Sequence, residues 1–87
     1  MANRVALIGI VIENVASAEK LNTILHQYAE YIIGRMGIPY RQKGIFIISV
    51  AIDAPEEIIN GLSGKLGMLP GVSAKTIYAP KREIGGG

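Results

Sequence analysis

Cysteine and tryptophan are absent from this 87-residue chain, and it holds one histidine and one phenylalanine. Without cysteine there is no disulfide, no thiolate metal site and no cysteine nucleophile, and a reducing, cytoplasmic setting is expected. With His26 alone, neither a Ser-His-Asp triad nor a structural zinc or nickel site can be built within one copy, because each needs several correctly spaced partners. The serines at 17, 49, 63 and 73 have no Gly-x-Ser-x-Gly context. No catalytic residue, no metal site and no cofactor is expected, and the chain reads as not an enzyme.

Long apolar runs are also missing, and nothing approaches the ~20 residues of a membrane helix. Arg4 followed by an apolar run and then Ala16-Ser17-Ala18 mimics a secretory signal, but cleavage there would remove the best strand in the chain. Nine basic and seven acidic residues leave a formal charge of +2. They are scattered, with no basic block longer than Lys81-Arg82, so there is no basic stripe for nucleic acid. Arg35, Arg41, Lys43, Lys65 and Lys75 read better as dispersed solubility charges than as a patch.

What is plentiful is aliphatic bulk, with 49% of the residues apolar. In so short a chain this predicts one modest core and apolar surface left over for another chain. Residues 4–12 are short, β-branched and apolar at both parities, the pattern of a strand buried on both faces. Asn14 then offers a cap, and Val15, Ala18, Leu21, Ile24, Leu25 and Tyr28 recur at helical spacing. Residues 31–41 carry Gly34, Gly37 and Pro39, tolerable in a bulged edge strand. Gln42-Lys43-Gly44 reads as a hairpin loop and residues 45–52 as a third strand.

Asp53 and Glu56 flank Pro55 like a capping box, which explains these carboxylates, and Glu57 beside them, better than acid-base chemistry does. Ile58, Ile59, Leu62 and Leu66 give a second helix its apolar stripe. Gly61, Gly64 and Gly67 interrupt it at intervals of three, suggesting close approach of another backbone, with Gly67 as an alternative C-terminal cap. Pro70-Gly71 turns the chain into a last edge strand over residues 72–79.

The order β-α-β-β-α-β with right-handed crossovers predicts a ferredoxin-like α+β sandwich: a four-stranded antiparallel sheet with both helices on one face. Residues 1–80 form the domain and 81–87 a flexible tail. Alternation sends Phe46, Ile48, Val50 and Ile52 to the helices and Ile45, Ile47, Ser49 and Ala51 to the open face, where Ala6, Ile8 and Ile10 are expected to join them. Ile8, Ile10, Ile45 and Ile47 are therefore the expected oligomer interface of a dimer or tetramer.

Lys43-Gly44-Ile45-Phe46-Ile47-Ile48-Ser49-Val50 follows the outline of an RNA-recognition strand. Isoleucines at 45 and 47 stand where bases would need aromatic rings, which argues against direct nucleic-acid binding.

Four blocks carry a resemblance: Leu25-His26-Gln27-Tyr28; Tyr31-Ile32-Ile33-Gly34-Arg35-Met36-Gly37-Ile38-Pro39-Tyr40; Asp53-Ala54-Pro55; and Leu62-Ser63-Gly64-Lys65-Leu66-Gly67-Met68-Leu69-Pro70-Gly71-Val72. Together they resemble the family of iron-only hydrogenase system regulators, over residues 4–79. The resemblance implies a small ACT-like domain, akin also to the C-terminal domain of nickel regulators, tied to iron-only hydrogenase systems of anaerobic bacteria. It does not extend to the ribbon-helix-helix segment or the histidine and cysteine ligands of nickel-responsive repressors, so neither repression nor nickel sensing is expected.

The expected function is that of an oligomeric regulatory domain, with a small ligand taken at its interfaces by Arg35, Gly37, Tyr40, Gly64 and Lys65. The alternative is an accessory interaction module for hydrogenase maturation or for a separate DNA-binding subunit. An enzyme assembled from several subunits has no support in the residues.

Overall fold

The two doubly apolar runs become neighbouring inner strands of one antiparallel sheet. A computed structural model describes residues 2–80. In chain order its elements are β1 (Asn3–Ile12), α1 (Ala18–Gln27), β2 (Ile32–Tyr40), β3 (Ile45–Pro55), α2 (Glu56–Gly67) and β4 (Val72–Tyr78). The sheet runs β2-β3-β1-β4, with every pairing antiparallel. This is the expected ferredoxin-like βαββαβ sandwich, with β1 and β3 in the middle and β2 and β4 at the edges. The tail at 81–87 lies outside the described residues.

One layer of aliphatic side chains fills the space between sheet and helices. Ile8, Ile10 and Ile12 of β1 and Val50 and Ile52 of β3 meet Leu21 and Leu25 of α1 and Ile59, Leu62 and Leu66 of α2, all fully buried. The three- and four-residue spacing on each helix and the two-residue spacing on each strand put these side chains on facing surfaces. Val15, expected on the core face of α1, instead sits exposed in a 3-10 turn, Val15–Ser17, ahead of the helix. Asn14 caps that turn, its Oδ1 accepting the Ala16 amide at 3.0 Å.

The start of α1 is tied to the start of β4. Ser17, buried, donates from Oγ to the Pro70 carbonyl at 2.7 Å, and the Glu13 amide donates to the Gly71 carbonyl at 2.7 Å. Gly71 has φ 68°, and a Cβ there would stand 2.6 Å from the Asn14 Cβ. Both conformation and space require glycine at this position.

Four local expectations are corrected. Ile8 and Ile10, with Ala6, point into the core rather than to the open face. Their register pairs Ile8 with Val50 and Ile10 with Ile48, and residues directly opposite on antiparallel strands share a face. The Asp53–Glu56 capping box does not form: β3 continues to Pro55, which caps α2 without a side-chain bond, and Glu56 pairs instead with Arg4, Nη1 to Oε1 at 3.3 Å. Among the described residues no backbone from outside α2 comes within 4 Å of a Cβ built on the α2 glycines: one at Gly61 would come nearest the Tyr28 hydroxyl at 3.8 Å, and one at Gly64 or Gly67 would have nothing within 4 Å. Gly67 is not a left-handed cap, since the helix runs through it to Met68 at φ −84°.

Two others are met. β2 carries a bulge between Ile32 and Gly34. The β2–β3 connection closes at Gly44, φ 67°.

Candidate functional site

The register fixes which side chains look away from the helices. Opposite Asp53, Ala51, Ser49 and Ile47 of β3 stand Val5, Leu7, Gly9 and Val11 of β1. On the other flank Gly34, Met36, Ile38 and Tyr40 of β2 stand opposite Ala51, Ser49, Ile47 and Ile45. Ser73, Lys75 and Ile77 of β4 stand opposite Val11, Gly9 and Leu7.

Among the described residues no element packs on this face, and each of the four strands contributes aliphatic side chains to it. Met36 is 63% exposed, Ile38 50%, Leu7 43%, Val5 45% and Ile77 68%. Ile47 and Tyr40 are also exposed, and Ile45 is half-buried. Lys75 and Asp53 supply its charge. Gly9, Ser49, Ala51 and Gly34 form a low strip along its middle, because their side chains are small or missing.

On the helix side, a cleft of about 230 Å³ opens between α1 and the edge strand β2. Ala18 and Asn22 come from α1, and Arg35, Gly37, Ile38 and Pro39 from β2. Ile12, Phe46 and Ile48 of the inner strands also line it. Arg35 Nη2 donates to Asn22 Oδ1 at 2.8 Å.

A wider groove lies at the far end of the sheet, between Arg4, Pro55, Glu56, Asn60 and Ala79. Asn3 and Glu57 also line it, and three of its polar side chains are engaged with neighbours. Arg4 stacks 4.3 Å over the Tyr78 ring and donates to Glu56 and to the Ala79 carbonyl, while the Tyr78 hydroxyl donates to Asn60 at 2.8 Å.

The five residues expected to bind a ligand do not form one site within the chain. Arg35 and Gly37 share the α1–β2 cleft. Tyr40, on the same strand but of opposite parity, belongs to the open face. Gly64 and Lys65 lie on exposed α2, where the Lys65 Nζ sits 5.1 Å over the Tyr28 ring.

Of the four residues expected at an interface, Ile45 and Ile47 are on the open face and Ile8 and Ile10 are beneath it. Sequence reading missed Val5, Leu7, Met36, Ile38 and Ile77, and it missed Asn22 as the partner of Arg35. His26 is exposed in the last turn of α1. Among the described residues no three His, Cys, Asp or Glu side chains gather closely enough to hold a metal ion, and no helix is long and apolar enough to cross a membrane.

With this geometry in place, the chain can be set beside known proteins. A family model described as "TM1266-like: Iron-only hydrogenase system regulator, putative" matches residues 4–76. The solved structure of uncharacterized protein TM1266 from Thermotoga maritima is 32% identical and superposes with a TM-score of 0.86, covering 90% of this chain and 99% of that one. A formyltetrahydrofolate deformylase from Pseudomonas putida KT2440 is 18% identical with a TM-score of 0.61, over 87% of this chain and 29% of that one. At that identity it shows a shared fold alone. No curated protein matches.

Proposed function

The chain belongs to the TM1266-like family of iron-only hydrogenase system regulators, and on that footing we propose that it is a non-enzymatic regulatory domain of the cytoplasm that assembles through its open sheet face and takes a small ligand. The family's description favours regulation over catalysis, and a chain without cysteine and with one histidine agrees with it. Residues 1–80 are the working unit.

The observation that carries this reading is the aliphatic face. Exposed large apolar side chains are ordinary when scattered, but contiguous patches on this scale mark interaction surfaces. Four strands at ~4.8 Å spacing and about seven residues at ~3.3 Å rise give a flat area of roughly 19 by 23 Å. Side chains standing off that plane add to this footprint, toward the ~800 Å² per partner found in stable complexes. A two-fold pairing of identical faces suits it, since one residue then meets the partner's copy of another and the reverse contact follows by symmetry. Lys75 and Asp53 give such a pairing opposite charges to match.

Replacing Leu7 by lysine tests the reading. Leu7 is already 43% exposed in the protomer, so the variant is expected to keep its circular dichroism and lose its assembly in light scattering. A wild-type protein that stays monomeric and gains mass only with a separate protein would replace self-association with the accessory-module reading.

A further inference from the structure

We infer that the cleft between α1 and β2 binds a small aliphatic carboxylate. The inference deepens the ligand-binding part of the proposed function and does not depend on how the sheet face is covered. Three features of the cleft carry it.

The first is size. The cleft offers about 230 Å³. That is below the ~300–1,000 Å³ of pockets that hold drug-sized ligands, so the cleft suits a molecule of only a few heavy atoms.

The second is the polarity of the walls. Ile12, Phe46 and Ile48 make one side, and Ala18 stands on the helix opposite. Water there has few groups to bond, so an apolar tail would displace it at little cost.

The third is charge. Arg35 is the cation lining the cleft, and the ion pair found among the described residues is Arg4 with Glu56, which leaves Arg35 without a carboxylate partner among them. Asn22 accepts from one Nη of Arg35 at 2.8 Å, a bond between two exposed side chains that turns the guanidinium toward α1. The remaining donors of the planar fork match two carboxylate oxygens, a geometry that a point charge such as lysine cannot offer. An apolar wall beside this guanidinium suits a molecule with one negative end and a short hydrocarbon body.

Gly37 supplies an independent handle on the same site. It lies in the lining at a negative φ, and a Cβ there would meet Ile48 Cγ1 at 3.8 Å, an ordinary contact. The fold therefore accepts a side chain at 37, while a larger one would fill the cleft.

The test is a titration of the full-length protein with isovalerate, followed by backbone amide NMR shifts and calorimetry. Isovaleramide serves as the neutral isostere and inorganic phosphate as the anion without a tail. Saturable isovalerate binding is expected with shifts centred on Asn22, Arg35 and Gly37, and with a Kd of order 1 mM for a ligand of about seven heavy atoms.

Arg35→Gln is expected to weaken binding at least ~10-fold, the loss of one charge-assisted pair, and Gly37→Val to abolish it. Circular dichroism should show both variants folded, and light scattering should show the oligomer mass unchanged by either. Equal binding of isovaleramide, equal binding of phosphate, shifts mapped elsewhere, no saturation, or an Arg35→Gln variant that binds like wild type would each overturn the inference. The mass measurement reports separately on assembly, so a failure here is distinguishable from a failure of the assembly reading.

Discussion

Ile8 lies directly opposite Val50 where β1 pairs with β3, and both side chains are fully buried beneath the helices. Their neighbours Leu7 and Ala51, also paired, look the other way. One residue of offset along β1 thus separates the core of the protomer from its apolar outer face.

That offset predicts opposite phenotypes for adjacent positions. Ile8→Ala leaves a cavity among Val50 and the helix leucines and is expected to cost about 2–5 kcal/mol of unfolding free energy. Leu7→Ala removes a side chain already part-exposed in the protomer, so its cost within the protomer should be well under half of that. Urea titrations of the two variants under conditions that hold them monomeric would check the contrast.

Gly71→Ala should be among the most damaging small substitutions in the chain. The left-handed φ of 68° and the 2.9 Å approach of a Cβ to the Asn14 amide nitrogen act together, and the sum should reach at least about 2 kcal/mol. Gly64→Ala, with nothing within 4 Å of the added carbon, should instead stabilise by about 0.5–1 kcal/mol, because alanine is the better helix former. Thermal unfolding of both variants reads the difference.

Ser17→Ala removes the buried donor to the Pro70 carbonyl and leaves that acceptor to find water. A loss of about 1–2 kcal/mol is expected. Because the bond ties the α1 turn to the β4 turn, hydrogen exchange should quicken at both ends of it in the variant.

Glu56→Gln should change little. The Arg4–Glu56 pair is partly solvated, with Glu56 53% exposed, and such pairs contribute about 0–1 kcal/mol. Any difference from wild type should shrink further in 1 M salt, where the Debye length falls to ~3 Å.

Much of the fold was legible because β1 and β3 are apolar at both parities, which only inner strands tolerate. The helix stripes at Leu21 and Leu25 and at Ile59, Leu62 and Leu66 were equally plain. What could not be read from bulk alone was the facing of β1, since Ile8 and Leu7 are equally greasy. A partial signal lay in the odd set, where Asn3 and Gly9 mark the outward parity, whereas past Arg4 the even positions Ala6, Ile8, Ile10 and Ile12 are uniformly apolar.

Asp53 misled in a different way. It has the chemistry of a cap, but the hydrogen-bonded register with β1 carries β3 past it to Pro55. The candidate cleft was half legible. Arg35 and Gly37 stood out in sequence, while Asn22 became their neighbour only when α1 packed beside β2. Gly64 and Lys65, grouped with them by composition, lie on α2.

The proposed assembly through the open sheet face is tested most directly by sedimentation equilibrium of the wild-type protein from low micromolar to millimolar concentration. A mass of at least twice the 9.3 kDa of the chain is predicted, with a dissociation that Leu7→Lys shifts to much higher concentration. A wild-type mass of 9.3 kDa across the whole range would contradict the account.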